Sequence, residues 1–327
     1  MSPHAPPLRG SLPPEGADPA WGGPAPGRMP HAAEQTLLLG RSKGLVGVIT
    51  PPLPPADGAP AREDPPFVII LNAGIIHRVG PNRLHVSLAR ALSADGFPVL
   101  RVDLSGLGDS AAREDGSAPL DATVADIREI IDTLQATRQV KRVVLMGLCS
   151  GADHSVIYAS TDPRVAGVAL LDPSIPRTTG YYVKHYSGRL LSLRTWKNVA
   201  MGRHPLWKLL KKRPAHEVPA EEGGAVGDMA AARPAVTLEH PEVRAFLENA
   251  YGRALGNGAQ FLAVLTSDRE RQHNYRRQLQ DAFPSLDFKG KLLIEYFDRC
   301  DHTFTTLASQ QRLVGLVRRW MGAVTFR

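Results

Sequence analysis

Only two cysteines, Cys149 and Cys300, occur in the 327 residues, and two in so long a chain make no disulfide framework. A reducing cytoplasm is the simplest compartment for such a chain. No apolar run approaches the roughly 18 residues that a membrane-spanning helix needs, and the first residues lack the apolar core of a secretory signal. Cys-x-x-Cys and His-Glu-x-x-His spacings are missing too, so no metal and no cofactor is expected. The formal charge of +7 comes without any nucleic-acid motif, so a nucleic-acid partner is not expected either.

What is present is 43% hydrophobic residues, a globular composition. Residues 1–33 are the exception, rich in Pro, Gly and Ala with no hydrophobic period, and read as a disordered tail. Residues 34–40 and 44–50 read as two strands joined by a tight polar turn, followed by a Pro-rich loop at 51–66. From there strand and helix alternate. Strands are expected at 67–71, 98–102, 142–146 and 165–171. Between them fall a helix with Leu84, Leu88 and Leu92 on one face and another with Val124, Ile127, Ile131 and Leu134. Such alternation implies a mostly parallel sheet with helices on both faces.

The alternation stops at Asp172 and resumes near 260. Strands are expected at 261–267 and 292–297, helices at 268–282 and 308–321. The core is therefore residues 34–172 with 259–327, interrupted by a helical cap insertion at 173–258. Within the cap a loop is expected near 214–234, and a helix at 240–255.

The stretch Lys141–Ala152 carries the most chemistry. A short buried strand runs into Gly147-Leu148-Cys149-Ser150-Gly151 and then a helix, the layout of a nucleophile elbow. Such a turn strains its central residue and needs small residues two before and two after it. Gly147 and Gly151 satisfy this when Cys149 is central. With Ser150 central, Leu148 would occupy a flank where it fits badly.

In an open parallel sheet, ligands bind at the carboxyl ends of the strands. The loop at 72–76, Cys149, Asp268 and His302 all fall there, in the order nucleophile, acid, histidine found in α/β-hydrolases. A thiol needs a base to ionise it, and an imidazole needs a carboxylate to hold its tautomer. Asp268 is the expected acid, with Asp172, at the end of the preceding strand, as its rival. A tetrahedral intermediate needs two N–H donors, assigned to Ser150 and Ile75. Asp301 reads as structural, and Cys300 as a packed thiol near His302.

With these residues placed, residues 34–321 resemble an α/β-hydrolase, and more closely the exosortase A system-associated hydrolases of type 1. The stretches that carry the closer resemblance are Arg78-Val79-Gly80-Pro81-Asn82-Arg83, residues 100–110, Gly147-Leu148-Cys149, parts of 183–196 and Asp301-His302-Thr303-Phe304. That family shares the elbow cysteine and sits beside exopolysaccharide and protein-sorting genes. The resemblance implies the hydrolase fold and leaves the substrate open.

The expected activity is acyl hydrolysis of an ester, thioester or lactone through an acyl-enzyme on a Cys-His-Asp triad. An acyltransferase using the same intermediate and a non-catalytic binding module are the alternatives. Ten basic and no acidic residues lie between Pro173 and His216, interleaved with Tyr181, Tyr182 and Trp196. With Lys211, Lys212 and Arg213 they suggest a face for an anionic or carrier-bound acyl donor, or for peripheral contact with a membrane.

Overall fold

The computed structural model describes residues 33–54, 62–190, 238–269, 272–288 and 290–326. The disordered reading of residues 1–33 and the loop reading of 214–234 concern residues outside this set, apart from Ala33; so do Trp196, Lys211, Lys212 and Arg213. Among the described residues, no helix is long and apolar enough to cross a membrane.

Eight strands form one sheet: β1 Gln35–Leu39, β2 Leu45–Thr50, β3 Phe67–Ile70, β4 Val99–Val102, β5 Val143–Leu148, β6 Val165–Leu171, β7 Gln260–Thr266 and β8 Leu292–Phe297. Their spatial order is β1-β2-β4-β3-β5-β6-β7-β8. The pairs β1/β2 and β2/β4 are antiparallel, and every later pair is parallel. This is the mostly parallel sheet that the alternation implied, in the arrangement expected from the resemblance to α/β-hydrolases.

The described helices are α1 Leu84–Ala94, α2 Pro119–Arg138, α3 Ser150–Ala159, α4 Thr179–Leu190, α5 Pro241–Gly256, α6 Gln278–Ala282 and α7 Leu307–Ala323. Because side chains alternate along a strand, each central strand feeds two cores. On β3, Phe67 and Ile69 face one side and Val68 and Ile70 the other; on β5, Val143 and Leu145 oppose Val144, Met146 and Leu148. The first face is covered by α2, α3 and α5 through Ile127, Ile131, Val156 and Tyr251. The second is covered by α1 and α7 through Leu84, Leu88, Leu313 and Trp320. Burial on both faces is what the unbroken apolar runs demand.

One expected helix is corrected. Residues 268–282 do not form a single helix. A 3₁₀ turn, Ser267–Arg269, follows β7, and among the described residues after it only Gln278–Ala282 is α-helical in this stretch. Between them His273 and Asn274 are buried polar residues, as is Gln278 at the start of α6. Asn274 Nδ2 donates to the Tyr181 carbonyl at 3.1 Å, and Gln278 Nε2 to the Gln272 carbonyl at 2.8 Å. The first bond ties the segment to α4, and the second closes the segment on itself.

Candidate active site

Strands β3, β5, β6, β7 and β8 run parallel and end at one edge of the sheet, and the site is assembled from the turns and loops beyond those ends. After β5, Cys149 takes φ 57°, ψ −121°, and α3 starts at the next residue. That left-handed φ is costly for a residue with a Cβ, and the neighbours show why the turn is so sharp. A Cβ on Gly147 would land on the backbone of Gly151, and a Cβ on Gly151 would land on the Asn72 carbonyl. The two glycines therefore let strand, helix and the β3 loop close around Cys149. Its side chain is partly buried and packs against the second core.

The loop after β3 is held by polar contacts. Asn72 Nδ2 donates to Asp103 Oδ1 at 3.0 Å, and Asn72 Oδ1 accepts the Leu104 N–H at 2.8 Å. Fully buried Asp103 also accepts the Arg78 N–H at 2.6 Å and pairs with its guanidinium. In this loop Gly74, not Ile75, is the residue whose N–H reaches the elbow; it donates to Ser150 Oγ at 2.9 Å. Ile75 is 76% exposed. Ser150 opens α3, so its own N–H has no acceptor within the helix.

His302 follows β8. Its Nδ1 lies 2.8 Å from Asp172 Oδ2, and Asp172 is the residue immediately after β6. The expectation of Asp268 as the histidine's carboxylate is corrected here. Asp268 is exposed and accepts the backbone N–H of His302 at 3.3 Å, so it holds the loop rather than the ring. Asp172 is fully buried. Its φ of 47° turns the side chain back over the neighbouring strand, where Oδ1 accepts the Thr266 N–H at 2.6 Å and Oδ2 the Thr266 hydroxyl. His273 Nε2 is a further 3.3 Å neighbour of Oδ1, close enough for an electrostatic contact but outside good hydrogen-bond geometry. Burial alone would raise the carboxyl of Asp172. The contacts with His273, His302 and Thr266 outweigh it and bring the group down to about 2.

The same balance shapes His302. Burial pulls its pKa down, but Asp172 and Cys149 outweigh that and raise it to about 9. The Cys149 thiol is held below its ordinary value, first by His302, against burial, and with help from Arg269. Arg269, the last residue of the turn after β7, was not singled out in the sequence. Its Nη1 lies 3.3 Å from Cys149 Sγ and 3.3 Å from His302 Nε2. A basic residue beside Asp268 at a strand end was the available signal for it; nothing in the local pattern pointed to His273, and Asn72 entered only as the first residue of the 72–76 loop.

Cys300 is a different thiol. Buried at the end of β8's loop, it donates to the Asp301 carbonyl at 3.4 Å, and burial pushes its pKa up to about 11. Asp301 caps the loop by accepting from Thr303 and Thr305. In α4, Tyr181 is packed inward and Tyr182 is exposed.

Comparisons with known proteins agree with this fold. The family model described as serine aminopeptidase, S33 matches residues 68–247. An α/β serine hydrolase homologue from Coxiella burnetii is similar at 13% identity and a TM-score of 0.50, covering 87% of this chain and 96% of its own. A hypothetical protein of Pseudomonas aeruginosa PAO1 is similar at 17% identity and a TM-score of 0.50, covering 89% of this chain and 99% of its own. At such identities the two structures speak for the fold alone. No curated protein matches the chain.

Proposed function

The chain belongs to the serine aminopeptidase S33 family of α/β-hydrolases, and from that premise we propose that it hydrolyses esters or thioesters through an acyl-enzyme on Cys149. The observation that carries this reading is the backbone of Cys149: the left-handed apex of the elbow lies on the cysteine, between the two glycines. Ser150, the one serine in the elbow, is instead the first residue of α3, and its Oγ is engaged by Gly74.

In this mechanism the thiolate adds to the acyl carbonyl, forming the C–S bond as the carbonyl electrons move onto oxygen. The Ser150 N–H receives that oxyanion, joined by the Gly74 N–H once the Ser150 side chain turns aside. Collapse breaks the bond to the leaving group, which takes the proton from His302 Nε2. The neutral imidazole then removes a proton from water, the hydroxide adds to the thioester, and collapse frees the acid and the Cys149 thiolate. Asp172 accepts from Nδ1 throughout, which keeps Nε2 facing the chemistry. A thiolate suits activated acyl groups better than amides. That sets the proposed substrate class apart from the one in the family's description.

Intact-mass spectrometry tests this, after incubation with acyl thioesters and p-nitrophenyl esters. The adduct is expected on Cys149. Cys149→Ala should abolish turnover in a folded protein, whereas Ser150→Ala should cost about tenfold or less, for it keeps the N–H. An adduct on Ser150 would defeat the proposal.

A further inference from the structure

A positive charge stands against the nucleophile, and beyond helping to hold the thiol low it has no part in the acyl-enzyme mechanism. Arg269 is held by its place in the chain: its carbonyl accepts the N–H groups of Gln272 at 2.7 Å and His273 at 3.0 Å. That fixes the turn from which the half-buried side chain reaches Cys149 Sγ and His302 Nε2. Among the described residues, no carboxylate lies within ion-pair distance of its guanidinium. Asp268, its neighbour in sequence, is turned to the His302 backbone. Asp153 feels its charge, yet that carboxylate is buried on the Ser174 N–H at 2.8 Å and hydroxyl at 2.7 Å.

Among the described residues, the one anion within reach of Arg269 is the Cys149 thiolate that the proposed mechanism requires. Acylation removes it. Once the C–S bond has formed and the leaving group has gone, the sulfur is a neutral thioester sulfur, and among the described residues the partly desolvated guanidinium is left without a counter-charge. Such a group is costly unless paired, and its planar fork fits a carboxylate with two parallel hydrogen bonds.

We propose that Arg269 is an anion subsite, and that the substrates carry a carboxylate close to the scissile acyl carbon. This rests on the reading of Cys149 as the reacting sulfur and adds a substrate class to it. Two positions bring a carboxylate within reach of Nη1: one on the acyl group, as in a dicarboxylic half-ester, and one on the leaving group, which passes by His302 Nε2.

The first test needs no turnover. Iodoacetate and iodoacetamide alkylate the same thiolate with loss of iodide, and they differ in one carboxylate beside the attacked carbon. The ratio of their rates on Cys149, located by peptide mass, cancels the thiolate fraction. That ratio should fall by about tenfold or more in Arg269→Gln and be partly kept in Arg269→Lys. An unchanged ratio in Arg269→Gln overturns the subsite. The second test compares p-nitrophenyl acetate with p-nitrophenyl hemisuccinate, which carries its anion on the acyl side, and with 3-acetoxy-4-nitrobenzoate, which carries it on the leaving side. A higher kcat/KM for one anionic probe, lost in Arg269→Gln, supports the subsite and assigns the side. No advantage for either overturns the substrate class. If the alkylation ratio responds to Arg269 but no acyl group ever forms on Cys149, the anion site stands and the acyl-enzyme reading falls.

Discussion

Asp172 and Asp268 leave neighbouring parallel strands, β6 and β7, at the same edge of the sheet, yet they do different work. Asp172 is sealed in, accepts two bonds from Thr266 and meets the His302 ring at 2.8 Å. Asp268 is exposed, starts from a 3₁₀ turn and meets only the His302 backbone at 3.3 Å. The difference lies in direction. A left-handed φ at Asp172 folds its carboxylate over β7, while the turn after β7 points Asp268 outward and sends Arg269 to the sulfur. One strand end thus provides the histidine's partner, and the other provides a loop brace and a cation.

The largest effect should come from Asp172→Asn. Loss of the acceptor on Nδ1 frees the ring to take the wrong tautomer, and kcat should drop on the order of 10³–10⁴-fold. Asp268→Asn keeps an acceptor for the His302 N–H and should cost about tenfold or less. Steady-state kinetics of the two variants, with circular dichroism to confirm folding, would break the comparison if Asp268→Asn proved the more damaging.

The pH profile sharpens it. His302 is raised to about 9, so the protonated imidazole that serves the leaving group is present below that pH and lost above it. The thiol is held low, so the acid limb should lie below the ordinary thiol value. Both limbs belong to the coupled pair rather than to either residue. Asp172 at about 2 stays ionised across this window. In Asp172→Asn the charge that supports His302 is gone, and the alkaline limb of the residual activity should move down. In Asp268→Asn it should stay where it is.

His273→Asn comes next. The imidazole is wholly buried 3.3 Å from Asp172 Oδ1. Removing it should weaken the hold on that carboxylate and lower kcat by about tenfold, the size of effect seen when an outer partner is lost behind a metal-bound histidine, with KM little changed. The smallest effect is expected from Thr266→Val, which keeps the backbone donor and removes only the hydroxyl from Oδ2. Chemical denaturation should show a loss of about 1 kcal/mol, with activity within a fewfold of the parent.

Much of this molecule was legible from residue order. Continuous apolar runs identify the strands buried on both faces, and four-residue leucine spacing identifies α1. The pair Gly147 and Gly151 identifies which elbow residue stands at the apex, because a Cβ at either place collides with backbone close by in the fold. The runs and the spacing are local signals and Gly147 meets its own turn at Gly151, whereas Gly151 is required by the Asn72 carbonyl of the β3 loop. The choice between the two aspartates is not local. In sequence both are simply an Asp at a strand end. What separates them is the pairing of β6 with β7, which sets the Thr266 N–H and hydroxyl against Asp172, and the left-handed backbone that aims its carboxylate at a histidine 130 residues away. The reach of Arg269 to the sulfur was settled in the same way. A side chain's neighbours across a sheet depend on register and backbone direction, and these exist only once the strands have paired.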